Sequence, residues 1–199
     1  MKIRIYAALM ALCLSMLLAD PAAAQWDAAD KGDEAYERGD YEGAFFWYSQ
    51  AAEQGYLPAQ LNLGIMYDEG IGVEENDSEA AKWFRLAAEQ GDTQAQHNLG
   101  NMYAHGEGVT RNVAEALKWY RLAAEQGYDP SQLNLGVMYA EGDGVSKNYV
   151  AAYMWISLSA AQGNELAVTN KDVVKNWMTP AQLAKSEKMI ADWKPVGER

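Results

Sequence analysis

Residues 78–91 read SEAAKWFRLAAEQG, with Ala80, Trp83, Phe84, Ala87 and Ala88 at i, i+3, i+4, i+7 and i+8. That spacing gathers the apolar side chains on one stripe of a helix, while Glu79, Lys82 and Arg85 lie on a solvated outer face. Asp77 is placed to cap the first turn. Gly91 is placed to end the last turn in the left-handed conformation. A second apolar pattern follows in AQHNLGNMYAHG, residues 95–106, with Leu99, Met102 and Tyr103 on the inward side. Gly100 in its middle costs about 1 kcal/mol of helix propensity. Its presence predicts a close helix contact that admits no side chain.

Both patterns recur. AAEQG stands at residues 51–55, 87–91 and 123–127, with a worn AAQG ending at Gly163, so that Gly55, Gly91, Gly127 and Gly163 lie 36 residues apart. Trp47, Trp83, Trp119 and Trp155 keep the same spacing and are expected in the core. LNLGIMY, HNLGNMY and LNLGVMY begin at Leu61, His97 and Leu133, and each precedes a Gly-x-Gly-Val loop. Such a period predicts a solenoid in which each unit of two helices buries its apolar face on its neighbours. The repeated phrase is then a joint: two alanines permit close approach, and a glycine closes the helix.

The composite pattern AAEQG-x(3)-AQ-x-NLG-x-MY-x(2)-G-x-G-V-x(2)-N-x(3)-A-x(2)-W resembles the Sel-one-like repeat (SLR), a branch of the tetratricopeptide superfamily. The resemblance is strongest from Ala44 to Gly163. It implies an all-α fold, a right-handed α-solenoid of antiparallel helix pairs. It also implies an adaptor in protein complexes, as many members serve in bacterial envelopes. The ends depart from the pattern. Residues 25–56 lack the Gly-x-Gly-Val loop and resemble a plain tetratricopeptide pair, with helices expected at Trp26–Arg38 and Tyr41–Gln54. Repeats follow at 57–92, 93–128 and 129–163, and residues 164–199 form capping helices within one repeat domain, 25–199. Lys171-Asp172 replaces the Leu-Gly pair, and Thr179-Pro180 opens a last helix through Trp193.

The first 24 residues have a different character. Lys2 and Arg4 precede an apolar run from Ile5 to Ala19, then Asp20-Pro21 and three alanines. This layout predicts a secretory signal peptide, 1–24, cleaved after Ala24. The mature chain is expected in the periplasm or secreted. The run of 15 residues is shorter than the ~20 a spanning helix needs, and no later stretch approaches that length. The sole cysteine, Cys13, lies inside the leader, too early and after the wrong residue for lipid attachment. The mature fold must therefore hold without disulfides.

Net charge is 16 − 28 = −12, and removing Lys2, Arg4 and Asp20 makes it 14 − 27 = −13. That surface repels nucleic acid and gives no electrostatic hold on anionic lipid. Catalytic residues, metal ligands and cofactors are all expected to be none. His97 and His105 share a helix, but eight residues separate their rings by ~12 Å of rise, too far for one ion. The serines lack a nucleophile elbow. The Gly-x-Gly loops lack a phosphate-binding lysine. The acidic loop at Glu141–Gly144 lacks calcium-loop spacing. Asn62, Asn98 and Asn134 form a ladder suited either to holding a peptide backbone or to a structural role, and its recurrence in every middle unit favours the structural role.

In tetratricopeptide arrays the first helix of each pair lines the concave groove. The resemblance therefore places Leu61, Ile65, Asp68 and Glu69 there, then His97, Asn101 and His105, then Leu133, Val137 and Glu141. This groove is apolar at both ends, polar in the middle and acidic along one rim. It implies a protein or peptide partner in the cell envelope, bound by a monomer. If both histidines touch the partner, its affinity would change between about pH 5.5 and 7.5. Two alternatives stand beside this reading. One is a peptidoglycan- or glycan-binding module using Trp26, Tyr36 or Trp177. The other is a hydrolase of the secreted Sel-like type, whose cysteine pair per repeat is missing here.

Overall fold

A computed structural model describes residues 21–197, with side chains from Gln25 onward. Residues 1–20, carrying most of the expected leader and Cys13, lie outside the described residues. The described residues form ten helices and no strand. They divide into two compact units, one ending at Glu75 and one beginning at Asn76.

The first unit holds α1 (Pro21–Glu37), α2 (Tyr41–Glu53) and α3 (Leu57–Glu69). Its helices pack consecutively, α1 on α2 and α2 on α3. Gly32 of α1 faces Tyr48 of α2, where an added Cβ would sit 2.5 Å from the ring. The second unit holds α4 (Asp77–Glu89), α5 (Thr93–His105), α6 (Val113–Glu125), α7 (Asp129–Glu141), α8 (Tyr149–Ala161), α9 (Glu165–Lys175) and α10 (Pro180–Asp192). Here too each helix packs on the next as far as α9, and α10 then returns to lie on α8.

The expected helices are present, with shifted caps. Asn76 rather than Asp77 caps α4, its side chain accepting from the Glu79 amide, and Asn112 and Asn148 do the same for α6 and α8. Asp77 takes the first helical position, where its charge suits the helix dipole. Gly91 follows the C-cap of α4 with φ +100°. Gly106 is itself the C-cap of α5, at φ 84°. Thr179 caps α10 in a reciprocal box with Gln182, behind Pro180.

The four tryptophans are a partial correction. Trp119 and Trp155 are buried, whereas Trp47 and Trp83 are half-buried. The deep positions are one residue later, at Tyr48, Phe84, Tyr120 and Ile156, none more than 4% exposed. Gly100 does meet such a side chain, as its periodicity predicts: a Cβ there would lie 2.7 Å from the Tyr120 ring, and one at Gly136 would lie 2.5 Å from Ile156. Helix α8 is buried nearly all round because α7, α9 and α10 cover it.

Buried glutamines tie the copies together. Gln60, Gln96 and Gln132 donate to the carbonyls of Ala52, Ala88 and Ala124 in the preceding helix. Within the second unit Gln126 donates to Gln96 Oε1 and Gln162 to Gln132 Oε1, both at 2.9 Å. The glutamine of AAEQG thus satisfies a buried amide 30 residues upstream.

Candidate functional site

Helices α5, α7 and α9 of the second unit take the first position of their pairs. Their groove-side residues open onto a cavity of about 370 Å³. Asn101 and His105 come from α5, and Leu133, Val137 and Glu141 from α7. A smaller cavity of about 80 Å³ adjoins it, sharing Val137, Glu141 and Asn170 and ending at Val173 and Trp177. Five of the ten expected groove residues therefore line one cavity.

The other five are placed differently. His97 is half-buried, is not among the cavity's lining residues, and contributes to the polar network described below. Leu61, Ile65, Asp68 and Glu69 belong to α3 in the first unit. There Ile65 lines a separate cavity of about 270 Å³ with Tyr36, Tyr48, Asn62, Met66 and Ile71. Leu61 is half-buried, and Asp68 and Glu69 are exposed. Leu133 lines the cavity while only 8% exposed, packed among Tyr153, Ile156 and Val174. Val137 is half-buried.

His97 shares a polar network with Asn101 and Ser131. His97 Nδ1 lies 2.9 Å from Ser131 Oγ, and His97 Nε2 lies 3.2 Å from Asn101 Nδ2. Asn101 Oδ1 accepts from the Tyr120 hydroxyl at 2.6 Å and from Asn134 at 3.5 Å. With its oxygen so occupied, Asn101 offers an N–H to His97, and the ring accepts it in its neutral Nδ1–H form. Burial depresses the His97 pKa to about 4, and the Asp129 carboxylate opposes this only in part. A contact made by His97 would therefore respond to pH below the range between 5.5 and 7.5. Burial also raises Tyr120 to about 12, with Asn134 pulling the other way and Glu107 adding to the rise.

The asparagine ladder has a fourth rung that the sequence reading missed, Asn170, 36 residues beyond Asn134. Its rungs differ in their partners. Asn62 bonds the Tyr48 hydroxyl and Asn134 that of Tyr120. The residues at the same offset before Asn98 and Asn170 are Phe84 and Ile156, which have no hydroxyl. Asn170 lines both cavities, and among the described residues its side chain makes no hydrogen bond to protein.

Each aromatic residue named for glycan binding packs on one neighbouring ring. Trp26 packs on Tyr56 with ring centres 4.9 Å apart, Tyr36 on Tyr41 at 5.1 Å, and Trp177 on Tyr149 at 5.6 Å. All three expose about half their surface. Among the described residues no group of three or more His, Cys, Asp or Glu could hold a metal ion. No described helix is long and apolar enough to cross a membrane.

The comparisons agree with this architecture. The Sel1 repeat model matches four times, at residues 22–56, 57–92, 93–128 and 129–164. The fold resembles a Sel1 repeat protein from Oxalobacter formigenes, 39% identical with a TM-score of 0.69, over 73% of this chain and 60% of that one. It also resembles a protective antigen of uropathogenic Escherichia coli strains displaying an SLR fold, 41% identical with a TM-score of 0.69, over 80% of this chain and 34% of that one. The chain thus spans less than two thirds of either relative's length. Helicobacter pylori cysteine rich protein B shares the fold at 23% identity, with a TM-score of 0.52 over 65% of this chain and 93% of its own. No curated protein matches. The expected fold class, an all-α solenoid of antiparallel helix pairs, is that of these neighbours.

Proposed function

Because this chain belongs to the Sel1 repeat family, whose members generally act as protein-interaction scaffolds, we propose that it is an exported adaptor without catalysis of its own. It holds a protein or peptide partner on the groove-side faces of first-position helices within its units. One observation carries the reading: the cavity of the second unit, with Val137 on an apolar floor beside the amides of Asn134 and Asn170. A solvent-facing apolar floor with convergent polar groups suits a polypeptide side chain and its backbone. Export is supported by the leader-like start, and the protective-antigen relative fits a place outside the cytoplasm.

Crosslinking in intact cells, followed by capture on the tagged chain, tests the reading. Leu61→Asp with Val137→Asp should abolish capture while helix content is retained, since each aspartate puts an unpaired charge where a partner excludes water. Lys118→Asp, on the exposed face of α6, should leave capture unchanged. Capture by the folded double variant would move the site off the groove. Turnover of a β-lactam or a muropeptide would overturn the non-catalytic reading.

A further inference from the structure

Resting on the groove reading, we infer that the occupant of the second unit's cavity is an extended peptide segment that is both cationic and apolar. One aliphatic or aromatic side chain sits on Val137, a Lys or Arg lies between Glu141 and Asp143, and Asn170 hydrogen-bonds the backbone between them.

Charge is the first argument. Glu141 and Asp143 are exposed on the cavity rim, and no Lys or Arg is among its lining residues. The chain as a whole carries −12. A cationic segment is steered toward such a rim, and an anionic one is repelled by both the rim and the overall field. A second copy of the chain brings the same negative charge and is disfavoured as occupant.

Hydrogen bonding is the second. The amide of Asn101 is used internally, accepting from Tyr120 and Asn134 and donating to His97. Asn134 is likewise engaged by Tyr120 and Asn101. Asn170 is not: Ile156 stands where a tyrosine would have met it, and its amide keeps a donor and an acceptor for a ligand. An extended backbone presents that same pair of groups, one N–H and one C=O per residue. The apolar contact is the third. Val137 and Asn170 both line the two cavities, so the hook and the seat for a side chain belong to the same surface.

The test uses the full mature chain and three blocked hexapeptides followed by titration calorimetry: Gly-Lys-Leu-Lys-Leu-Gly, the same with Glu for Lys, and the same with Ser for Leu. The Lys/Leu peptide should bind, with an affinity that falls as salt rises. Either replacement should weaken binding at least tenfold. Glu141→Gln with Asp143→Asn should erase the preference for Lys over Glu. Asn170→Ala should weaken the Lys/Leu peptide about fivefold, and Val137→Asp should abolish its binding. Glu89→Gln with Glu187→Gln, exposed elsewhere on the second unit, should leave affinity within twofold. Circular dichroism keeps unfolding from being read as lost binding. Equal or tighter binding of the Glu/Leu peptide, lost on Val137→Asp, overturns the cationic assignment and leaves the groove reading intact. Binding of the Lys/Leu peptide that ignores Val137→Asp overturns the inference, as does the absence of binding by every peptide. The groove reading falls only if the Leu61→Asp, Val137→Asp chain also still captures its partner.

Discussion

His97, Asn101 and Ser131 stand where the other repeats carry Leu61 and Leu133, Ile65 and Val137, and Ala59 and Ala95. Three separate departures from the repeat meet as one hydrogen-bonded group. The sequence displays the polar character of 97 and 101, since it breaks a visible period. The role of Ser131 was not legible, because its partner is 34 residues away and a serine on a helix is unremarkable alone. Burial likewise could not be read from the histidine itself, and burial decides its chemistry. Its folded pKa of about 4 lies below the ordinary ~6.5. The unfolded chain therefore binds the proton first, and stability falls as pH drops through the window between the two values. The expected loss is of order 2 kcal/mol once partial solvent access is allowed for. Urea unfolding at pH 7, 5.5 and 4.5 checks this against His97→Leu, which restores the repeat's own residue. The stability of the natural protein relative to the variant should fall as pH falls, because the carboxylates common to both cancel.

At the scale of the element, helix positions and ends were nearly all readable, because periodicity and glycine terminators repeat four times and average out local noise. What the pattern could not resolve is which of two adjacent stripe residues lies deepest. Trp83 and Phe84 are one step of 100° apart; the bulky indole stays at the stripe's edge and the phenyl ring takes its centre. Gly100 is the opposite case, a residue whose cost predicts its own contact. Gly100→Val should destabilise the protein by roughly 2 kcal/mol or more, because the Tyr120 ring that would have to move is held by its hydroxyl on Asn101. Thermal unfolding measures it, and an unchanged midpoint would mean that the ring yields freely. Helix α10 carries a different element-level lesson. The Thr179-Pro180 start was plain, but its return onto α8 was not, since Ser186 meets the Val150 carbonyl 36 residues upstream.

The whole molecule joins a strongly acidic surface to a repeat scaffold and a leader-like start. These scales were legible to different degrees. The fold class followed from the repeat, whereas the lining of the cavity needed α7 and α9 side by side before Asn170 joined Asn134 as a neighbour. On the proposal of export, protein recovered from the cell envelope should begin at Gln25. N-terminal sequencing reads this directly, and a soluble cytoplasmic pool beginning at Met1 would overturn it. The buried glutamines bear on how such a gene can grow. Gln132 donates back to Ala124 in the preceding copy and accepts from Gln162 at the end of its own. Duplicating any segment cut at two equivalent points brings both halves of each bond along. Gaining or losing a few codons inside a copy strands an amide in the interior. Lineages of this chain can therefore lengthen or shorten by whole copies, and the ancestry of each copy should be traceable by its glutamines.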